Sequence, residues 1–175
     1  MTNPKPVVVA LSLDQQTDEL LAAVLDLGQR LKCPFVVVHA LGKRHLESES
    51  STANRIAEAK QTLGLRLQPL IKAGLDVREE VAIGAPAEVA IDTALRISAQ
   101  LIMTGGGRPA TIRRWLVGST VEEVVHSAVV PVWVVRGERV ARTTRPVLCP
   151  INLHSPSKLG LASAVRMARL FETRR

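Results

Sequence analysis

Short, uninterrupted apolar runs recur along the chain and are separated by longer stretches of mixed character. Valine-rich runs at residues 7–11 and 35–40 are typical of parallel strands that are buried on both faces. A shorter run at residues 101–104 has the same character. The pattern therefore predicts three central strands.

Two further runs have the features of edge strands. Residues 77–83 alternate charged and apolar side chains, a pattern that suits a strand with one face in solvent. Residues 129–135, from Val129 to Val135, are apolar but contain Pro131, which has no N–H to donate to a neighbouring strand. Pro131 therefore predicts that this fifth strand lies at a sheet edge or begins irregularly.

Between these runs, apolar residues recur at the spacing of an amphipathic helix. The first such stretch covers residues 17–31, and the polar residues 42–51 are expected to form a loop. Ser51 or Thr52 is expected to cap a second helix ending near Ala73, because a hydroxyl can accept a hydrogen bond from an N–H of the first turn. Two shorter helices are predicted from Pro86 to about Ser98 and from Ser119 to Ala128.

Strands that alternate with helices of this length are joined by right-handed crossovers, which make the sheet parallel. The predicted fold class is therefore doubly wound α/β, with helices on both faces of a five-stranded sheet. Ligands bind such sheets beyond the carboxyl ends of the strands, where the strand order reverses. With the order 3-2-1-4-5 the reversal lies between strands one and four, so residues 10–15 and 105–119 are the loops where a ligand is expected.

Composition narrows the class of protein. Hydrophobic residues make up 46% and charged residues 22% of the 175 positions, values of an ordinary globular protein with one well-cored domain and an appendage. No apolar run is long enough to cross a bilayer, and no signal peptide is recognisable. The two cysteines, Cys33 and Cys149, are far apart in sequence, which fits reduced thiols. We therefore expect a cytoplasmic protein without a membrane partner.

The formal net charge of +7 raises the question of nucleic-acid binding. The basic residues are spread along the chain, and aromatic residues that could stack on bases amount to only 2%. The charge is therefore interpreted as solvated surface charge, and no nucleic-acid partner is expected.

The stretch after the fourth strand carries the strongest chemical signal. It reads Thr104-Gly105-Gly106-Gly107-Arg108, and a second cluster, Gly118-Ser119-Thr120, opens the predicted fourth helix. Consecutive glycines let backbone N–H groups face an anion, and a helix N-terminus favours phosphate. Both clusters therefore indicate one anionic ligand. The alternative is that the glycines only form a tight turn and Ser119 only caps a helix.

Other chemistries fit less well. Gly105, Gly107 and Ala110 satisfy the spacing of a dinucleotide-binding loop, but Pro109 lies inside it and Arg136 stands where an acidic residue is needed. The sequence contains neither a phosphate-binding lysine loop nor a nucleophile elbow, and its four histidines lack metal-ligand spacing. No catalytic residue and no metal site are predicted.

Several of these features together resemble the universal stress protein family. They are the valine-rich first strand, a second strand ending in His39-Ala40, the segment Gly84-Ala85-Pro86-Ala87-Glu88, and the glycine stretch leading to Gly118-Ser119. The resemblance covers residues 6–136. It implies a doubly wound fold of the flavodoxin-like or adenine-nucleotide alpha-hydrolase-like class, with a sheet ordered 3-2-1-4-5, and it implies ATP as the ligand.

The resemblance also implies a set of binding residues. Members that bind ATP carry a glycine, two residues, a second glycine, nine residues, and then glycine with serine or threonine. Gly105 and Gly118-Ser119 match this pattern, whereas Arg108 replaces the second glycine and Ser12 replaces an aspartate that contacts the nucleoside. By resemblance, the nucleoside would lie near Ala10, Leu11, Ser12 and Ala40, and the phosphates near Thr104, Gly105, Gly106, Gly107, Arg108, Gly118, Ser119 and Thr120.

The C-terminal part repeats the opening of the chain. Residues 1–136 form the predicted universal stress protein domain, and residues 137–144 form a polar linker. Residues 147–152 then parallel residues 7–12, and a helical pattern of Leu161, Val165, Ala168 and Leu170 follows. Residues 145–175 are therefore predicted to be a partial second repeat of one strand and one helix.

Two functions of different classes follow. The first is a stress-response regulatory protein that binds an adenine nucleotide, ATP, with little or no catalysis. The second is a dimeric interaction module that binds no nucleotide, with the fifth strand at the dimer interface and glycines that are only structural. Arg108 and Ser12 both favour the second function. In either case a homo-oligomer is expected, with exchange of residues 145–175 between chains as one arrangement.

Overall fold

The computed structural model describes residues 4–14, 17–44, 48–106, 119–136, 147–149 and 157–171. Its elements in chain order are β1 (Val7–Ala10), α1 (Thr17–Leu31), β2 (Phe35–Leu41), α2 (Glu49–Lys72), β3 (Val77–Ile83), α3 (Pro86–Arg96), β4 (Leu101–Gly105), α4 (Ser119–Ser127), β5 (Val132–Val135) and α5 (Ser157–Leu170). The chain divides into two compact units, residues 1–137 and 138–175.

The first unit contains one parallel sheet with the strand order β3-β2-β1-β4-β5. Each strand is followed by a helix before the chain returns to the sheet, so the predicted doubly wound α/β fold and its strand order are confirmed. The order reverses at β1, which pairs with β2 on one side and with β4 on the other.

Helices cover both faces of the sheet because its central strands are apolar at successive positions. Val7, Val8 and Val9 are all fully buried, although neighbouring side chains of a strand point to opposite faces. Val8 belongs to a core cluster formed with residues of α3 and α4. On the other face, Gly28 of α1 lies so close to Phe35 of β2 that a Cβ there would be 3.2 Å from the ring. The sheet thus lies between α3 and α4 on one face and α1 on the other.

β5 is shorter than the sequence predicted. Residues 129–131 belong to no strand, and regular pairing begins at Val132, opposite Ile102. The N–H of Ile102 donates to the carbonyl oxygen of Pro131 at 3.0 Å, so the proline still accepts a bond although it cannot donate one. The predicted edge position of this strand is confirmed, and Trp133 lies opposite Met103 in the ladder.

The predicted start of the second helix is wrong. α2 begins at Glu49 because Ser48 is its N-cap and accepts a hydrogen bond from the N–H of Ser51 at 3.3 Å. The predicted loop therefore ends before residue 49 rather than at residue 51. α3 also ends earlier than predicted, at Arg96, and Ser98 has a φ of 52° that no longer belongs to a helix.

The second unit contains α5, which covers the apolar residues predicted to form a helix. Leu161 and Val165 on this helix are 46% and 41% exposed. Residues 147–149 have no regular secondary structure, and the remaining residues of the strand predicted there lie outside the described residues. The partial second repeat therefore stays a prediction. Among the helices of the described ranges, none is long and apolar enough to cross a membrane.

Candidate functional site

The strand reversal brings together the ends of two strands that are far apart in sequence. Ala10, the last residue of β1, lies opposite Thr104 in the parallel ladder with β4. Leu11 and Ser12 follow Ala10, and Gly105 and Gly106 follow Thr104. The first residues of the two predicted loops therefore lie side by side where the strands end, at the position where doubly wound folds bind ligands.

The backbone after β1 is held by three hydrogen bonds from other elements. The N–H of Leu11 donates to the carbonyl oxygen of Val38 at 2.9 Å, and Nδ1 of His39 donates to the carbonyl oxygen of Leu11 at 2.8 Å. The buried hydroxyl of Thr17, the first residue of α1, donates to the carbonyl oxygen of Ser12 at 2.5 Å. Ser12 thus has a fixed backbone and an exposed side chain.

Ala40 lies on the same side of the sheet edge. Ala10 pairs with Val38 of β2, so Ala40 is two residues closer to the carboxyl end of that strand. Its own partner in the ladder is Ala82 of β3. Ala40 is therefore near the end of β1, and its contact with the nucleoside, implied by the resemblance, stays a prediction.

The end of β4 is buried and closely approached by other groups. Thr104 is 4% exposed, and its hydroxyl donates to the carbonyl oxygen of Gly105 at 3.3 Å. The N–H of Gly106 donates to the carbonyl oxygen of Val135 at 2.8 Å, which ties the end of β4 to the end of β5. Any side chain on Gly106 would overlap the side chain of Arg136. A side chain at Gly106 would therefore displace the exposed side chain of Arg136 from this position.

Of the residues predicted to contact phosphate, the structure describes two groups. Thr104, Gly105 and Gly106 lie at the end of β4, and Ser119 and Thr120 begin α4 as predicted. Ser119 is exposed and Thr120 is half-buried, so both hydroxyls are close to the surface. Gly107, Arg108 and Gly118 lie outside the described residues.

Two residues at this edge were not predicted to belong to the site. His39 contacts the loop after β1, and Arg136 covers Gly106. His39 lies two residues before the end of β2, and Arg136 directly follows β5. These positions were a usable signal, because the carboxyl ends of parallel strands meet at one edge. Within the described ranges, no group of three or more histidine, cysteine, aspartate or glutamate residues could hold a metal ion.

Sequence comparison matches residues 3–136 to the universal stress protein family. The chain belongs to this family. The match spans the whole sheet and all the strand ends described above, so the resemblance found in the glycine stretch and the flanking segments is confirmed. No curated protein matches the sequence significantly.

Solved universal stress proteins share the fold at low sequence identity. The UspA protein of Lactobacillus plantarum is 19% identical with a TM-score of 0.64, and the alignment covers 78% of this chain and all of that one. A universal stress protein of Archaeoglobus fulgidus in complex with dAMP is 22% identical, with a TM-score of 0.58 and the same coverage. A universal stress protein in complex with cAMP is 19% identical, with a TM-score of 0.61, 77% of this chain and 98% of that one being covered.

Proposed function

We propose that this universal stress protein is a cytoplasmic, stress-response regulatory protein that binds an adenine nucleotide, ATP, with little or no catalysis. The observation that carries the proposal is the pairing of Ala10 with Thr104 at the strand reversal, directly followed by glycines on β4. Glycines there carry no side chain that would keep a phosphate away from the backbone. Since the N–H of Gly106 is bonded to Val135, the proposed donors to phosphate are the N–H groups in the first turn of α4. Relatives of the same fold in complex with dAMP and cAMP support an adenine nucleotide as the ligand.

The proposed ligand spans the strand reversal. Its nucleoside contacts Ala10, Leu11, Ser12 and Ala40, and its phosphates contact Thr104, Gly105, Gly106, Gly107, Arg108, Gly118, Ser119 and Thr120. Ser12 offers a hydroxyl that can donate or accept one hydrogen bond to the ribose but brings no charge. Since a charged hydrogen-bond partner is stronger than a neutral one, we expect weaker nucleoside binding than in members with aspartate at this position.

Titration calorimetry of the emptied protein with ATP, ADP and AMP tests the proposal. Mass spectrometry of any ligand released on denaturation of the purified protein shows whether an adenine nucleotide was carried from the cell. Binding of ATP with no phosphate release over hours supports a binding protein. Absence of heat at millimolar ATP, with the protein folded and empty, contradicts it.

A second candidate function is a dimeric interaction module that acts without nucleotide. It is favoured by the sheet edge at β5, whose outer side has no neighbouring strand among the described residues. An open strand edge offers N–H and C=O groups to the same strand of another copy. Val129, just before this strand, is 75% exposed, which adds apolar surface to that edge. Nucleotide binding and dimerisation through β5 are compatible, and we propose a homodimer in either case.

The second unit is proposed to serve assembly. Residues 145–175 are interpreted as a partial repeat of one strand and one helix, and residues 137–144 as the linker before it. Leu161 and Val165 of α5 keep nearly half of their surface in solvent, so burying the remainder of each would contribute roughly half of the ~1.5–3 kcal/mol gained by full burial. Exchange of this unit between copies would provide such burial.

A further inference from the structure

The side chain of Arg136 lies directly on the backbone of Gly106. A Cβ added to Gly106 would be 2.7 Å from Cδ and 2.8 Å from Nε of Arg136, distances that real Cβ atoms essentially never show. The side chain therefore turns from the end of β5 toward the end of β4. The hydrogen bond from the N–H of Gly106 to the carbonyl oxygen of Val135 fixes the two strand ends in this relationship.

This contact places a positive charge at the carboxyl edge of the sheet. Gly106 follows β4, whose residue Thr104 lies opposite Ala10 at the strand reversal. The Nε atom of Arg136 is thus beside the first residues of the glycine stretch, where the anionic part of a nucleotide is proposed to lie.

The charge of Arg136 is available to a ligand. Several arginines of the first unit pair with carboxylates, as Arg96 does with Glu80 at 2.6 Å and Arg66 with Asp18 at 3.1 Å. Within the described ranges, Arg136 has no carboxylate partner, and its residue is exposed. A guanidinium group presents a planar fork of N–H donors that matches two oxygens of a phosphate.

We propose that Arg136 binds a phosphate group of the nucleotide and makes the site prefer nucleotides over nucleosides. This inference rests on the proposed function, because it assigns a further binding residue to the same site. Gly106 then has one role in binding: without a side chain, it gives the arginine a path to the phosphate.

The test compares ATP and adenosine as probes in calorimetric titrations of the full chain. Arg136→Gln should weaken ATP binding about ten- to a hundredfold, the range lost with a charged hydrogen bond, and leave adenosine binding unchanged. Arg136→Lys should recover part of the ATP affinity, because it restores the charge without the planar fork. Arg78→Gln is the matched control, since it removes the same charge from an exposed residue near the amino end of β3.

A second variant keeps the charge and changes only its position. Gly106→Ala should displace Arg136 and weaken ATP binding more than adenosine binding. Equal affinities of the wild type and Arg136→Gln for ATP would overturn the inference while the proposed function stands. An equal loss of ATP and adenosine binding in Arg136→Gln would also overturn it, because the arginine would then only support the fold. A wild-type protein that binds neither probe would overturn the proposed function and this inference together.

Discussion

Nδ1 of His39 on β2 donates a hydrogen bond to the carbonyl oxygen of Leu11, 28 positions earlier in the chain, at 2.8 Å. Because a carbonyl oxygen can only accept, Nδ1 must carry a proton in this bond. The bond ties the loop after β1 to the neighbouring strand, so the predicted nucleoside contacts Leu11 and Ser12 depend on a residue of another element.

Replacing His39 by phenylalanine keeps a ring of similar size and removes the donor. The nearly buried Leu11 is then left with an unpaired carbonyl oxygen, and we expect the free energy of unfolding to fall by about 1–3 kcal/mol. Urea unfolding followed by circular dichroism measures the change. His126→Phe, at an exposed position of α4, is the control. Equal unfolding midpoints for both variants and the wild type would show that the bond contributes nothing.

Ser12→Asp restores the residue type found in ATP-binding members of the family. Ser12 is exposed and its backbone is held by Thr17, so the substitution changes the side chain without moving the loop. A charged acceptor for a ribose hydroxyl should strengthen adenosine binding about three- to tenfold. Calorimetric titration with adenosine measures this, with Ser12→Asn as the uncharged control of equal size. A gain of the same size with asparagine would exclude the charge as its cause.

Gly118→Asp should remove ATP binding, with an affinity loss of more than about a hundredfold, because a carboxylate at the start of α4 repels phosphate. Gly118→Asn has almost the same shape and no charge, so it separates repulsion from steric exclusion. We expect asparagine to weaken ATP binding less than aspartate does, and adenosine binding to change little in either variant. If the aspartate variant binds ATP with full affinity, the start of α4 is not part of the phosphate site.

Val129→Lys tests self-association at the β5 edge. Val129 is 75% exposed. In a dimer formed along β5, the variant would bring two positive charges into the interface, and removing water from them is costly. Light scattering after size-exclusion chromatography should show a dimer for the wild type and a smaller mass for the variant. Leu65→Lys on α2 introduces the same change at a residue that is 69% exposed, and it should keep the wild-type mass. A wild-type monomer at every concentration would contradict the proposed homodimer.

Ending the chain after residue 144 tests the proposed exchange of the second unit. We expect a lower oligomeric state or lower solubility, with the first unit still folded, because all five strands of its sheet lie before residue 138. Mass in solution and melting temperature are the measurements. In the full chain, Leu161→Ser with Val165→Ser should have the same effect on mass, since it removes only apolar surface. If the truncated protein keeps the mass and melting temperature of the full chain, the second unit has no part in assembly.

The sequence predicted the sheet well because its central strands have no polar face. Runs such as Val7 to Val9 can only be accommodated in a strand buried on both sides, which also requires helices on both faces. α1 was predicted at its observed bounds, Thr17–Leu31. The remaining strand bounds, apart from that of β5, differ from the prediction by no more than one residue.

The errors at helix and strand ends arise where several neighbouring residues could each mark the boundary. Ser48, Ser50, Ser51 and Thr52 all have hydroxyls that can cap a helix, and only the structure distinguishes Ser48. Pro131 can accept a bond at the start of β5 but cannot donate one, so the apolar run before Val132 continues in sequence without continuing as a strand.

The candidate site was predictable where its signal is local. Glycines after a buried strand are a local signal, and they predicted a phosphate site at Thr104, Gly105 and Gly106, which stays a prediction. His39 and Arg136 were not assigned because their contacts join residues of different strands, and such contacts depend on the register between β1 and β2 and between β4 and β5.

Trp133 makes the β5 edge visible by spectroscopy. The chain has no tyrosine and two tryptophans, Trp115 and Trp133, so these two residues dominate its ultraviolet emission. Trp133 is half-buried on the outermost strand, opposite Met103 and two residues before Val135, whose carbonyl oxygen binds Gly106. With Trp115→Phe, the remaining indole becomes a single fluorophore at the sheet edge. Its emission wavelength then reports the polarity beside β5, at concentrations low enough to follow the separation of two copies.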